Sequence, residues 1–337
     1  MSYTQNLRIL VGKLEGTPGT METLTSADFD ARVRNPEISP QIEMDDEASK
    51  YANGNHGEDE VITGAQSAQI TFQVRMNWGG TATTEPEYFK FFNACGCNKV
   101  TYGSTGISLQ PLKELDTKTI TLWVYDIATG GASPGAICYK FAGAAGNVTI
   151  AVEGIGKPWV ATFTFTGKFV DITDETTIPE AGSLDGVNYP EKFLCSDVEI
   201  FDVTEKVTGF ELDADNEITP LINQADCTGY DYFHITKRSP RFSTDPLMSS
   251  VATADRLGNM TSGITGAITT GEISIAGTNL SLHIPKAQEI SMGVANREGL
   301  VSWDLNYKCL GNGVTGALAV DALPPECTWE LLQGARA

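Results

Sequence analysis

The sequence predicts a mainly β protein: two related antiparallel β domains in tandem, with one or two short helices. Three observations predict it. Short stretches of apolar–polar alternation recur along the chain, and that is the period of a half-buried strand. Glycine-rich turns separate them, with glycine at 34 of 337 residues against a usual share of about 7%. Two landmarks occur twice, in the same order. A chain of 337 residues also fits two domains at roughly 100–200 residues each, both large enough to bury a core.

The clearest strand runs from Ala68 to Met76. Ala68, Ile70, Phe72, Val74 and Met76 share one face, and Gln69, Thr71, Gln73 and Arg75 share the other. Lys118 to Tyr125 starts with the same alternation and ends as an apolar run, which reads as a strand covered on both faces. One segment reads clearly as helix. Thr84 and Glu87 have capping-box spacing, Pro86 suits a first turn, and Tyr88, Phe89, Phe91 and Phe92 give an apolar face before Gly96. A weaker helix is expected from Thr244-Asp-Pro246 to about Leu257.

The first repeated landmark is Asn35-Pro-Glu-Ile-Ser-Pro-Gln-Ile-Glu43 against Asp215-Asn-Glu-Ile-Thr-Pro-Leu-Ile-Asn223, at a separation of 180. The second is a hairpin. Val148 to Val152 with Trp159 to Phe165 matches Ile290 to Val294 with Val301 to Tyr307, at a separation of 142. Trp159, Ala161, Phe163 and Phe165 match Val301, Trp303, Leu305 and Tyr307 on the apolar face. Val160, Thr162 and Thr164 match Ser302, Asp304 and Asn306 on the other. The first copy then carries about 38 extra residues, which the acidic loop from Asp45 to Glu60 and the helix near Tyr88 can hold. The polar stretch from Thr173 to Gly186 is broken by Pro and Gly and reads as a linker. The expected division is an N-terminal arm over 1–34, a first domain over 35–172 and a linker over 173–192. A second domain over 193–311 and a C-terminal arm over 312–337 follow.

Little in the sequence points to chemistry. The three histidines, His56, His234 and His283, stand alone, and no nucleophile elbow, zinc-protease helix, phosphate loop or dinucleotide fingerprint occurs. Carboxylates are plentiful, but nothing selects one pair for glycoside hydrolysis. The acidic loop around Asp45, Asp46, Glu47, Glu58, Asp59 and Glu60 lacks the ligand spacing of a calcium loop. Seven cysteines are odd in number and mostly scattered, so reduced thiols are expected rather than a disulfide framework. Cys95 and Cys97 form the only close pair and read as buried thiols, not metal ligands. No cofactor or metal is expected, and no signal peptide or spanning helix is read. Acidic residues outnumber basic ones by 43 to 23, for a formal charge of −20. That balance argues against gripping nucleic acid or docking on an anionic membrane.

Several segments in this order resemble the major tail tube proteins of long-tailed bacteriophages, a family built from two related halves. Leu7 to Thr20 with Leu24 to Asp28 is similar to the family's opening arm. Pro86 to Gly96 looks like its helix, and Gly146 to Gly167 looks like its core hairpin. Ile235 to Pro240 and Ser291 to Asn306 fit its second half. The resemblance covers nearly the whole chain and carries over no active site. It implies two tandem β-sandwich-like tube domains whose strands join those of neighbours into a closed ring barrel around a channel, with rings stacked into a tube.

On that footing the chain's main partner is itself. Three chains would make a pseudo-sixfold ring, and six chains are the alternative. Other phage tail proteins would meet the tube ends. Genomic DNA would pass without tight binding, and no membrane is involved. The setting is the virion tail, assembled in the bacterial host cytoplasm. The polar phases supply channel-lining candidates: Gln69, Thr71, Gln73, Thr162, Thr164, Ser302, Asp304 and Asn306. Arg75 and Lys308 share those phases, so the lining is not purely acidic. The arms supply ring-to-ring candidates: Leu7, Ile9, Trp329 and Leu332. The competing readings are a secreted or virion-surface β-sandwich adhesin or carbohydrate-binding protein, and a β-sandwich hydrolase.

Overall fold

The computed structural model describes residues 3–29, 33–45, 61–77, 84–102, 104, 106–111, 118–128, 135–177, 192–194, 196–270, 280–312 and 327–334. The first half contains β1 (Tyr3–Leu14), β2 (Val33–Asp45), β3 (Ile62–Arg75), α1 (Phe89–Ala94), β4 (Cys97–Tyr102), β5 (Gly106–Pro111), β6 (Ile120–Ala128), β7 (Ala136–Val152) and β8 (Val160–Glu175). Then come β9 (Val198–Ile200), β10 (Val203–Glu205), β11 (Phe210–Asp213), β12 (Asn216–Ile222), β13 (Tyr230–Arg238) and β14 (Arg241–Thr244). The chain ends with α2 (Arg256–Ser262), β15 (Thr265–Thr270), β16 (Leu280–Arg297), β17 (Leu300–Cys309) and β18 (Glu330–Gly334). The fold is mainly β, as the alternation predicts.

Sixteen strands join in one antiparallel sheet. Its main path is β2-β3-β8-β7-β11-β14-β17-β16-β15-β9-β10. β6 links β7 to β1, and β18 links β16 to β5, which pairs β4. β12 and β13 form a separate ribbon. No barrel closes within the chain among these strands, so the main path ends in free edges.

One order of pairing occurs twice on that path. In β2-β3-β8-β7 the first two strands pair, and the second then meets the later hairpin. β11-β14-β17-β16 repeats this. β11 and β12 are two parts of one bent strand, and so are β13 and β14. Their register runs on unchanged from Phe210↔Thr244 through Asp213↔Arg241 to Asn216↔Arg238. The first sequence landmark opens both blocks with the same backbone feature. Asn35 and Asp215 are left-handed, with φ of 48° and 46°, a conformation that short polar side chains tolerate best after glycine. The second landmark forms the β7–β8 and β16–β17 hairpins. Their turns differ. Glu298 and Gly299, both with positive φ, make a two-residue connection from Arg297 to Leu300.

The apolar phases named from sequence face the core. Phe72 packs on Phe163 and Phe165, and Phe91 and Phe92 of α1 pack on the same rings. Gly146 makes room there, since a Cβ at that position would lie 2.5 Å from the Phe165 ring. Contacts of Trp159 with Phe210, Phe210 with Phe242, and Phe242 with Tyr307 carry the aromatic packing from one block into the next. One hydrophobic cluster therefore spans both blocks, where two separate cores were expected. Val301 departs from the expected apolar face by being 50% exposed near the turn.

Several local expectations need correction. α1 starts at Phe89 with Tyr88 in the cap position and no side-chain cap. Burial of Tyr88, Phe89, Phe91 and Phe92 sets the helix, and Glu85 ahead of it pairs with Lys99. The second helix starts later than Thr244 suggests. Asp255 caps it by accepting from Gly258 N, and Gly263 ends it in the left-handed region. Asp245 is engaged elsewhere, with the backbone of Thr208 and Gly209 and with Arg297. β8 runs to Glu175, past the expected linker start, while residues 178–191 lie outside the described residues, as do His56 and the acidic loop from 46 to 60.

Replacing Phe163 with Ala removes a fully buried ring that touches Phe72, Phe91, Phe92 and Phe165. A loss of about 3–5 kcal/mol is expected, read as a lower midpoint in chemical denaturation.

Candidate functional site: the polar face of the long sheet

Residues directly opposite one another in an antiparallel pair share a face. One row can be followed across six strands: Gln73, Thr162, Thr149, Asp213, Arg241 and Lys308. A parallel row runs through Arg75, Val160, Ala151, Glu211, Ser243, Asn306 and Ser291. A third joins Glu37, Thr71, Thr164 and Asn147. The polar phases of the two halves therefore form one continuous surface, opposite the aromatic core.

The side chains on this surface are short and tied to one another. The Thr71 and Thr164 hydroxyls lie 3.5 Å apart. Asn147 Nδ2 donates to Asp213 Oδ1 at 2.8 Å, and Asn216 N donates to Asn147 Oδ1 at 3.0 Å. These bonds hold the face where the two blocks meet. Charge on and beside the traced rows is balanced. Arg34, paired with Gln73, joins Arg75, Arg241 and Lys308. They stand against Glu37, Glu211 and Asp213, and Asp304, opposite Gly293, adds a fourth anion beside these rows. The chain's formal −20 is thus carried away from this face.

Seven of the eight polar candidates reach this surface. Gln73 and Asp304 are exposed, while Gln69, Thr71, Thr162, Thr164 and Asn306 are half-buried. Ser302 is only 2% exposed and bridges to Leu247, so in this chain it cannot meet solvent. Asn147, Thr149, Glu211, Asp213 and Arg241 belong to the same face. Their strands' alternation was readable, but the pairing of β7 with β11 was not.

The arm candidates are placed differently. Ile9 is half-buried and packs on the cluster of Val11, Tyr125, Ala136 and Cys138, because β1 pairs with β6. The Leu7 side chain lies outside the described residues. Trp329 and Leu332 are buried inside the chain. β18 sits between β16 and β5, and its buried Glu330 accepts a 2.6 Å bond from the Tyr102 hydroxyl and a 3.0 Å bond from Gln110 Nε2. Both apolar residues are thus buried within the chain's own fold.

Among the described residues most reactive groups are buried or structural, and Cys227 is an exposed free thiol. Among the described residues no group of three or more His, Cys, Asp or Glu could hold a metal ion. Burial pushes the Cys97 thiol up to about 12, with Arg238 opposing, so the close cysteine pair stays protonated. His283 Nδ1 bonds the Thr269 hydroxyl at 2.9 Å. No described helix is long and apolar enough to cross a membrane. The notable ionisable cluster joins buried Arg256 to Glu205, with the Tyr307 hydroxyl 3.4 Å from Arg256. Glu289 lies nearby with no hydrogen bond to either carboxylate oxygen, and burial raises it to about 7 against the pull of Arg256.

A family model described as phage tail tube protein matches residues 5–324. No curated protein matches the chain.

The raised Glu289 carboxyl makes stability depend on pH. The folded chain holds this proton more tightly than the unfolded chain, whose carboxyl has its ordinary value near 4.5. Stability is therefore lost as pH rises from about 4.5 to about 7. Glu289→Gln should melt like the parent chain near pH 4 and higher than it at pH 8. Parallel thermal melts across that range check it.

Proposed function

The chain belongs to the phage tail tube protein family, and from that premise we propose that it forms stacked rings enclosing the channel through which phage DNA leaves. Its structural role in the tail follows from the family; the ring, the channel and the passage of DNA are our reading. The observation that carries it is the sidedness of the long sheet. One face is aromatic and covered, and the other is polar, balanced in charge and continuous over both blocks. A sheet of that kind, closed edge to edge, makes a wall with a polar bore.

The repeated pairing order supports two tube domains per chain, with Asn35 and Asp215 as matching entry points. Each chain then supplies eight wall strands, from β2 to β16 along the path. Three chains give a wall of about 24 strands. At about 4.8 Å per strand its backbone diameter is roughly 37 Å before tilt widens it. Side chains narrow this to a bore that fits a DNA duplex with little slack. Six chains would double the diameter and leave a duplex unguided, so three chains per ring is the better fit.

The lining explains passage without capture. Tight binding of a polyanion needs clustered Lys and Arg that displace its counterions. Here four cations stand against three anions on the traced rows with Asp304 beside them, and the rest is largely threonine, glutamine and asparagine. The rings assemble in the host cytoplasm and meet other tail proteins at the tube ends.

Purified protein should form hollow tubes or holed rings in negative stain, with ring masses of three times 36.2 kDa by mass photometry. A persistent monomer would refute the reading. Thr71→Lys with Thr164→Lys should leave tubes intact but place a cationic band in the bore. DNA release from such virions, followed with an intercalating dye, should slow, and added salt should restore it; unchanged release would remove the lining argument.

A further inference from the structure

The two helices are held to the sheet in different ways. α1 buries the rings of Phe89, Phe91 and Phe92, with Tyr88 just ahead of them. α2 has no such face. Arg256 is its one buried residue, and the one buried residue over 248–264. Met248, Val251, Leu257 and Ile264 of this stretch are exposed. Its hydrogen bonds follow the same division. Asp255 accepts from Gly258 N, Asn259 N donates to Asp255 O, Gly263 N donates to Met260 O, and the Thr261 hydroxyl donates to Leu257 O. All of these stay within the segment. Among the described residues, the hydrogen bonds that leave 249–263 belong to the Arg256 side chain. They reach Glu205 on β10 and the Tyr307 hydroxyl on β17, the latter at 3.4 Å.

Arg256 enters a buried ionisable cluster at the end of the sheet. Glu205, Glu289 and Tyr307 are all buried. Tyr307 stands opposite Glu289 in the β16–β17 register, and its ring touches Phe201 and Phe242. The charged or titratable groups around Glu289 are thus Arg256 from α2, Glu205 from β10 and Tyr307 from β17. β14 and β15 add none on this face. Arg241 lies opposite Lys308 on the polar side, and β15 carries only Thr, Gly, Ala and Ile. One guanidinium therefore serves two carboxyls. Glu205 holds it, while neither Glu289 oxygen nor Arg256 Nε has a hydrogen bond. Burial outweighs the pull of Arg256 on Glu289, so this carboxyl stays neutral below about pH 7.

We infer that residues 249–263 form a latch on the end of the sheet, closed through Arg256 while Glu289 is neutral and released locally when Glu289 is ionised. An ionised Glu289 puts a second negative charge beside one buried cation, and that charge needs water. α2 rests on β16, and freeing the segment gives up one ion pair and no buried apolar side chain. Opening admits water to Glu289 and unties β10, whose one strand neighbour is β9. The sign follows from linkage. The closed latch holds the Glu289 proton up to about pH 7, and the open one holds it only up to the ordinary value near 4.5. Opening thus becomes easier as pH rises between those values and levels off above them. The latch stands apart from the tube reading, because every group in it belongs to one chain.

Hydrogen exchange followed by mass spectrometry on the full chain tests it, in samples matched for assembly state. The peptide over 255–264 carries the donors Asn259, Gly263 and Ile264. After division by the chemical exchange rate at each pH, its opening should be favoured about tenfold or more at pH 7.5 relative to pH 5. At pH 7.5 it should also open far more readily than the β7–β8 hairpin. Glu289→Gln should keep the pH 5 protection at pH 7.5. Glu289→Met, which removes the charge without burying an amide, should do the same. A peptide unprotected at both pH values, parent protection that does not fall, or an equal fall in both variants would overturn the latch. Equal protection of this peptide and the β7–β8 hairpin at pH 7.5 would overturn it too, since the two would then open together.

Discussion

The structure depends on one constraint: an antiparallel sheet with one greasy face must cover that face and finish its edges. The first requirement is met inside the chain. Phe72, Phe163 and Phe165 on the sheet and Phe91 and Phe92 on α1 form one packed cluster. The edges are another matter. β1, β6, β15 and β18 pair parts of them, yet β2 and the outer half of β16 stay open among the described residues. Hydrophobic packing is satisfied in the monomer and backbone pairing is not. This mismatch links the fold to assembly.

The bend at Asp215 shows how the two requirements were reconciled at the centre of the chain. Before the bend, β11 lies between β7 and β14 and continues the wall. After it, β12 leaves with β13, and Asn216 Nδ2 bonds the carbonyls of Cys95 and Gly146. Gly96, with φ of 76°, leaves space there for Arg238 from β13. One left-handed residue thus separates the part of the strand that builds the wall from the part that braces the helix end.

Much of this was legible in sequence, for a physical reason. Period-2 alternation reports which face a residue takes, so Phe72 against Thr71 and Phe163 against Thr162 were readable at once. Pairing partners far apart in sequence leave no such mark. The β7–β11 junction was therefore hidden, and with it the membership of Asp213 and Arg241 in the polar face. The tail misled for the same reason. Trp329 and Leu332 look like loose apolar anchors until Glu330 is seen buried beside Tyr102 and Gln110. The helix starts failed where a side chain suited to capping had a stronger long-range partner, as with Asp245 and Arg297.

The charge separates two roles that a single number conflates. A net −20 first argues only that the chain does not grip DNA. In the proposed bore, the face that would meet DNA has a separate source of indifference. Its traced rows carry four cations against three anions, the Thr71 and Thr164 hydroxyls lie side by side, and Asn147 bonds Asp213. Under the tube proposal, the excess acid would act elsewhere, as a long-range repulsion that keeps the polyanion off the remaining surfaces. The proposed polar bore and the chain's overall acidity are then distinct devices. The first depends on cross-strand register and would fail with a one-residue slip, which turns core side chains into the bore. The second depends only on composition and would survive it.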